Sequence, residues 1–166
     1  MNMKGIMFNK KYGLESAVLG GCKTRTWRAD KKPRYEVGEV IAIKQKYSDL
    51  DETWRVAKGI FYGDCYLCTE YQAGWNNKMF VKNELMPHKI KITKVTPCKL
   101  QDITEEECMI EGIYSSFGRI FNFFNSGIPW YDSAKEAFAG LINKLNGKGY
   151  WESNPDGYAY EFELVK

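Results

Sequence analysis

The sequence predicts an α+β fold in which short strands form a small β-barrel and two or three helices pack outside it. The first observation is the aromatic content, since 11 Tyr, 9 Phe and 5 Trp occur in 166 residues and aromatic side chains favour strands. The second is a series of short apolar runs separated by Gly, Pro and Asn. The third is a pair of segments with apolar residues at helical spacing. Many short strands with a few helices indicate an α+β fold.

The composition indicates one globular domain with a local basic site. Hydrophobic residues make up 44% and charged residues 27% of the chain, which is ordinary for a soluble protein. The net charge of +3 is too small for binding nucleic acid through bulk charge. Five cysteines, an odd number, indicate a reducing compartment, and no apolar run approaches the ~20 residues of a membrane span. We therefore expect a cytoplasmic protein with no membrane partner.

Strands are predicted where apolar residues form short runs or alternate with polar ones. In the least regular part, residues 47–87, we expect only short strands and loops, with strand-like runs at 59–62 and 79–81. The clearer predicted strands are residues 3–9, 40–43, 88–95 and 158–164.

Three helices are predicted from apolar spacing and terminal residues. The first spans residues 10–19 and is ended by Gly20 and Gly21. The second spans residues 103–112, with Thr104 and Glu107 at the spacing of a capping box. The third runs from Ser133 to Asn146 and presents an apolar stripe at helical spacing.

The basic strip is the most one-sided stretch of charge in the chain. Six cations fall between residues 23 and 34, opposed there only by Asp30. A strip of this kind is a candidate ligand site, and Gly20 and Gly21 would supply the turn that lets a ligand approach. The six are Lys23, Arg25, Arg28, Lys31, Lys32 and Arg34.

Lys23 and Thr26 could carry chemistry. A threonine hydroxyl is a poor nucleophile unless a base takes its proton, and a desolvated lysine amine can do so. The spacing by itself is common, and the alternative is a solvated lysine beside an ordinary strand threonine. Glu111 stands out because it would lie in the last turn of a predicted helix, where the macrodipole disfavours an anion. The alternative for Glu111 is a tolerated surface position.

Arg25 and Arg28 lie on either side of Trp27 in the sequence. Recognition of phosphates together with bases requires such an alternation of cations and aromatic side chains. The alternative is a solvated basic face with Trp27 in the core, since neighbouring strand residues point to opposite sides.

Cys65 and Cys68 have the spacing of half a zinc site, but a tetrahedral site needs four ligands. No second pair of that spacing exists, and His88 is the only histidine. We therefore predict no metal site. Nucleophilic catalysis by a Cys–His pair has as little support in the sequence as a zinc site does.

Several segments, in chain order, resemble ASCH domains of the PUA-like superfamily. The detailed sequences of these segments are most similar to phage and prophage-encoded members. The resemblance covers roughly residues 1–45 and 88–166. It is carried by Gly21-x-Lys23-x-x-Thr26-x-Arg28, Tyr35-x-Val37-Gly38-Glu39, the segment 100–113, the segment 137–151, Asn154-Pro155 and the closing Tyr160-Glu161-Phe162-Glu163.

The resemblance implies a PUA-like β-barrel with a cleft lined by the Gly21 and Lys23 motif. It also implies a choice of function, because some small bacterial ASCH proteins are amidohydrolases that remove the acetyl group from acetylcytidine, whereas many ASCH domains are interpreted as RNA-binding modules. In the amidohydrolase interpretation, the chain would act without a metal or cofactor. The catalytic residues would be Lys23, Thr26 and Glu111, where Lys23 activates the Thr26 hydroxyl for attack on the acetyl carbonyl. Gly21, Arg25 and Arg28 would hold the ligand, which is a modified nucleoside or RNA.

Departures from the resemblance leave other functions open. The chain over 1–166 would be one ASCH/PUA-like domain with insertions around 46–87 and 114–132, which could cap the cleft, change the substrate or mediate dimerisation. Asp156 and Gly157 replace the apolar residues usual before the last strand. The alternatives are a non-catalytic module that binds RNA or a modified nucleotide, and a phage accessory protein whose insertions bind a host protein.

Overall fold

The computed structural model describes residues 3–60 and 73–165. Their contacts divide the chain into two compact units. The first unit contains the described parts of residues 1–8 and 40–90 together with Val165, and the second contains residues 9–39 and 91–164. The expectation of a single domain over residues 1–166 stays a prediction.

The described chain mixes strands and helices, as the α+β prediction requires. Residues 3–60 and 73–165 form seven strands: β1 Gly5–Ile6, β2 Arg25–Arg28, β3 Val40–Ile43, β4 Lys89–Lys99, β5 Tyr114–Ser116, β6 Ile120–Asn122 and β7 Asp156–Val165. The same residues form five α-helices: α1 Leu14–Leu19, α2 Glu52–Ala57, α3 Glu105–Met109, α4 Ala134–Asn146 and α5 Tyr150–Ser153.

In the first unit, β3 pairs in parallel with β1, with Gly5 opposite Ala42 and Ile6 opposite Ile43. On its other side, the Ile43 N–H donates to the carbonyl oxygen of His88 just before β4 (2.9 Å). An apolar cluster buries the side chains of this unit, with Met3, Trp54 and Leu85 packed around it. Its members are Ala42, Tyr47, Leu50, Ile60, Trp75, Val81 and Met86.

In the second unit, β7 lies between β4 and β2. β7 pairs with β2 in antiparallel fashion, with Thr26 opposite Tyr160 and Arg28 opposite Tyr158. Apolar residues alternate along β7, so Tyr160 and Phe162 are buried on one face of the predicted closing strand, while Tyr158 and Leu164 on that face are half-buried. This register places the basic strip beside the last strand of the chain.

The strand pairings give the order β1-β3-β4-β7-β2. A closed barrel also requires the two edge strands to pair, and no pairing of β1 with β2 occurs among the described residues. The predicted β-barrel is therefore not confirmed, whereas the mixed α+β architecture is.

The two strongest helix starts were predicted from local side chains and are confirmed. Thr104 and Glu107 form a capping box, each side chain accepting from the other residue's N–H. The Ser133 side chain accepts from the Glu136 N–H at the start of α4. Each such cap stabilises a helix by about 1 kcal/mol. The apolar stripe of α4 is buried and packs against α3 and α5.

Element ends and the region 46–87 were predicted less well. β1 covers two residues of the predicted 3–9, and α1 covers only Leu14–Leu19 of 10–19. Lys78–Phe80 forms a 3₁₀ turn where a strand was expected, and α2 was not predicted at all. The strand-like run at 59–62 lies partly outside the described residues. Cys65 and Cys68 lie wholly outside them.

Every helix of the described chain is too short or too polar to cross a lipid bilayer.

Candidate functional site

The segment from Cys22 to Arg25 is fixed by backbone hydrogen bonds at both ends. The N–H groups of Cys22 and Lys23 donate to the carbonyl oxygen of Ala17 in α1 (2.8 and 2.9 Å). The N–H groups of Thr24 and Arg25 donate to the carbonyl oxygen of Ile110, which follows α3 (3.0 and 3.3 Å). The segment is thereby held between the end of α1 and the end of α3, so Lys23 faces the residue after Ile110.

The Lys23 side chain is 2% exposed and its amine makes three short hydrogen bonds. Nζ donates to the carbonyl oxygen of Arg25, the carbonyl oxygen of Glu111 and Oε2 of Glu111, each at 2.7 Å. Three donated bonds match the three protons of an ammonium group. The arrangement therefore suits charged Lys23, and these three bonds do not go to Thr26.

Glu111 bridges two cations. Its Oε2 accepts from Lys23, and its Oε1 accepts from Nη1 of Arg25 at 2.8 Å. Arg25 Nε also lies 3.7 Å from Oε1 of Glu107. Lys23, Arg25 and Glu111 are all at most 3% exposed, so the charges are taken out of water and must compensate one another.

The sequence predicted that Glu111 lies in the last turn of a helix, and the structure contradicts this. The helix ends at Met109 and Glu111 follows it, with its N–H donating to the carbonyl oxygen of Cys108 (3.1 Å). Gly112 then has φ +109°, and a Cβ there would come within 2.6 Å of a Leu14 methyl carbon. A glycine is required at this position, because a side chain would clash with α1 and the backbone angle disfavours L-residues.

Burial is the largest influence on the pKa of Lys23. It lowers the pKa, because the charged amine loses its hydration, while the Glu111 charge and hydrogen bond raise it and the nearby arginines lower it. Burial likewise lowers the pKa of Arg28, while electrostatic interactions with Tyr35, Glu111 and Asp30 raise it. Lys23 is therefore easier to deprotonate than an exposed lysine.

Thr26 and Arg28 share one face of β2, because side chains alternate along a strand. Thr26 is 5% exposed and lies opposite Tyr160 of β7. Arg25 and Trp27 lie on the other face and are also buried. Burial of Trp27 fits the alternative in which it belongs to the core.

Tyr35, Tyr160 and Asp30 were not predicted as site residues, but the structure places Tyr160 opposite Thr26 and the other two in contact with Tyr160. The Tyr160 hydroxyl donates to Oδ2 of Asp30 (2.8 Å) and accepts from the Arg34 N–H (2.9 Å). The Tyr35 ring contacts the Tyr160 ring edge-on, with centroids 5.2 Å apart. The alternation of β7 could show that Tyr160 is buried, but its register with Thr26 depends on long-range pairing.

The basic strip divides into a buried and an exposed half. Lys23 and Arg25 are buried, whereas Lys31, Lys32 and Arg34 are exposed. Gly21, predicted to contact a ligand, is exposed with φ +75° and has open space where a Cβ would lie. Its N–H donates to the carbonyl oxygen of Val18, which closes α1.

Among the described residues, no group of three or more His, Cys, Asp and Glu side chains is placed to hold a metal ion. Cys22, Cys98 and Cys108 are free thiols. Burial raises the pKa of Cys108 to about 12 and also raises the pKa of Cys98, so neither is an activated nucleophile.

No known protein-family model and no curated protein matches the chain. The crystal structure of an ASCH domain from Lactobacillus crispatus JV V101 is similar to it with a TM-score of 0.46 and 12% sequence identity, over 98% of this chain and 79% of that one. A likeness of this size does not establish a family.

Removing the Tyr160 hydroxyl should destabilise the protein in a pH-dependent way. At neutral pH we expect Tyr160→Phe to lower the free energy of unfolding by about 1–3 kcal/mol, because Asp30 loses a buried donor. Burial raises the pKa of Tyr160 from 10.0 to about 12. The raised value means that the native state keeps the hydroxyl proton longer than the unfolded chain, so its stabilisation is lost as pH rises through about 12.

Urea titrations of both proteins across the alkaline range would check this, with Tyr158→Phe as a matched control on the same strand. The stability difference between wild type and Tyr160→Phe should shrink with rising pH. A difference that stays constant would contradict the assignment.

Proposed function

We propose that the chain is an ASCH-type amidohydrolase that removes an acyl group from a modified nucleoside such as acetylcytidine. The observation that supports this most is the buried Lys23–Glu111 pair, joined at 2.7 Å. The Lys23 amine also binds the Arg25 carbonyl, which belongs to the peptide that leads into Thr26. The amine therefore lies beside the backbone of the residue before Thr26, and a buried lysine with a lowered pKa is more frequent at active sites than elsewhere.

In the proposed reaction, Lys23 must be neutral to take the Thr26 proton. Burial favours the neutral amine by lowering its pKa. The amine gives up its bond to the Arg25 carbonyl and accepts the hydroxyl proton, while the Thr26 oxygen attacks the acyl carbon. Lys23 then gives this proton to the nucleoside nitrogen as the C–N bond breaks. Water hydrolyses the acyl-Thr26 ester to release the acid and restore the hydroxyl.

The remaining residues of the proposed site position or stabilise its charged groups. Glu111 keeps Lys23 and Arg25 in position, since each of its carboxylate oxygens binds one of them. Arg28 lies on the same face as Thr26 and would stabilise the oxyanion of the tetrahedral intermediate. The buried setting strengthens such interactions relative to water, and it suits a small ligand better than a polynucleotide.

Thr26→Ala should abolish deacylation of acetylcytidine, with a loss of at least about a thousandfold in kcat/KM, because nucleophile removal usually costs at least this much. Thr24→Ala is the matched control, since Thr24 is half-buried in the same segment, and it should keep activity close to that of wild type. Release of cytidine can be followed chromatographically. A rate that rises with pH would further match a lysine that must lose its proton.

The proposal fails if wild type releases no cytidine, or if Thr26→Ala turns over at the wild-type rate. Circular dichroism of each variant separates a catalytic defect from misfolding.

A second candidate function is RNA binding, and the exposure of Lys31, Lys32 and Arg34 favours it. Arg25 is held in the ion pair with Glu111, so the exposed half of the strip would contact phosphates instead. These three cations predict a slope of about −2 for log affinity against log salt on single-stranded RNA.

Neutralising Lys31, Lys32 and Arg34 with Gln should weaken RNA binding and flatten that slope. The control variant carries Lys91→Gln and Lys148→Gln, which remove exposed cations elsewhere in the second unit. Fluorescence anisotropy with a labelled oligonucleotide measures both. Equal affinities of the triple variant and wild type would exclude this surface.

A further inference from the structure

Glu111 joins Lys23 to a second cation, Arg25, which keeps its charge. The Lys23 amine donates to Oε2 of Glu111 (2.7 Å), and Nη1 of Arg25 donates to Oε1 (2.8 Å). An arginine guanidinium stays protonated in proteins, whereas a lysine amine can lose its proton. As pH rises, Lys23 is therefore the member of this cluster that becomes neutral.

Arg25 closes a ring of hydrogen bonds with both partners. Its backbone carbonyl accepts from the Lys23 amine (2.7 Å), while its side chain binds the Glu111 carboxylate. The backbone of Arg25 is itself held, because its N–H donates to the Ile110 carbonyl (3.3 Å). Nε of its side chain lies 3.7 Å from Oε1 of Glu107. None of the contacts of the guanidinium is with Lys23, so they do not require a charged amine.

The charge balance of the three buried side chains changes when Lys23 loses its proton. With a charged amine, two cations surround the one carboxylate of Glu111. With a neutral amine, Arg25 and Glu111 remain as a balanced ion pair. Without Arg25, the same loss would leave Glu111 as a buried anion that has lost its partner, and such a charge is strongly destabilising. Arg25 therefore favours the neutral form of Lys23.

Other titratable groups surround Lys23, which lies between the ends of α1 and α3 and leads into β2. Burial lowers the pKa of Lys23 most, Glu111 raises it, and Arg28 and Arg25 lower it further. The other groups are unchanged when only Arg25 is substituted, so a comparison of variants at that position isolates its contribution. Besides Arg25, the titratable groups of these three elements are Glu15, Arg28, Glu105, Glu106, Glu107 and Cys108.

We propose that Arg25 is a positioning residue that serves as the permanent counter-ion of Glu111 and thereby allows Lys23 to lose its proton. In this role Arg25 acts through Glu111 and Lys23 and does not touch the ligand, in keeping with a side chain that is 3% exposed. Its importance for catalysis rests on the proposed function, because only that reaction needs neutral Lys23. Its effect on the proton affinity of Lys23 does not depend on any reaction.

An NMR titration of lysine side chains labelled with carbon-13 at Cε tests this, with the Lys23 signal assigned by its absence in Lys23→Met. Arg25→Met removes the guanidinium charge and keeps an unbranched side chain. The pKa of Lys23 should rise by about one unit, because loss of a neighbouring cation favours the charged amine. Arg119→Met is the matched control, since it removes an exposed arginine of the same unit, and its Lys23 should titrate as in wild type.

Arg25→Gln separates the charge of Arg25 from its hydrogen bond. The amide can still donate to Oε1 of Glu111 but carries no charge, so the pKa of Lys23 should rise in this variant as well. The pH profile of deacylation gives a second readout. In both variants the rate at neutral pH should fall by about tenfold and recover at alkaline pH, because Lys23 must be neutral to accept a proton. A purely structural defect would lower the rate at every pH.

An unchanged or lowered pKa of Lys23 in Arg25→Met would overturn the proposal, and so would a wild-type pKa in Arg25→Gln, because the charge would then have no role. If neither variant folds, the wild type still provides a test, since a Lys23 that titrates at or above the exposed lysines would also overturn it. The titration needs no substrate. Failure to release cytidine would therefore refute the proposed function and leave the counter-ion role of Arg25 in place.

Discussion

The Lys23–Glu111 ion pair is the interaction on which the rest of the candidate site depends. Two opposite charges, 88 residues apart in the chain, meet at 2.7 Å where both side chains are almost fully buried. Removing such charges from water costs several kcal/mol per ion, and only close geometry with further hydrogen bonds offsets that cost. The second oxygen of Glu111 and two backbone carbonyls supply those bonds. These bonds compensate both charges of the buried pair.

Much of the surrounding backbone is arranged to make that geometry possible. The α1 carbonyl of Ala17 and the carbonyl of Ile110 hold the segment that contains Lys23. Gly112 lets the chain turn sharply past Leu14. Because β2 starts at Arg25, the same constraint sets the position of Thr26 against Tyr160. A rearrangement that separated Lys23 from Glu111 would leave a buried charge uncompensated, which is strongly destabilising.

Local features of the fold could be predicted from the sequence, and long-range ones could not. The caps at Thr104 and Ser133 depend on side chains three residues away, so their signals are short-range and were interpreted correctly. Strands at Val40–Ile43 and in the closing segment followed from apolar pattern alone. The 3₁₀ turn at Lys78–Phe80 was missed, because an apolar run of that length does not distinguish a strand from a short helical turn.

The same distinction applies to the candidate site. Lys23, Thr26 and Glu111 could each be selected from the sequence, but Glu111 was expected inside a helix end and the structure places it beyond Met109. That Lys23 meets Glu111, and that Arg25 is bound into the same cluster, depends on contacts across more than 80 residues. Tyr160 was missed because the pairing of β7 with β2 places it opposite Thr26, and Tyr35 was missed because its ring contacts Tyr160 only in the folded chain.

A double-mutant cycle on Lys23→Met and Glu111→Gln tests the central claim most directly. Glu111→Gln leaves two buried cations without their carboxylate and should lower the free energy of unfolding by about 3–5 kcal/mol. Lys23→Met leaves Glu111 bound to Arg25, and the double variant should lose clearly less than the sum of the two single losses. A coupling of about 1–3 kcal/mol in urea titrations is the predicted result. Additive losses, with a coupling near zero, would contradict the claim that this pair organises the site.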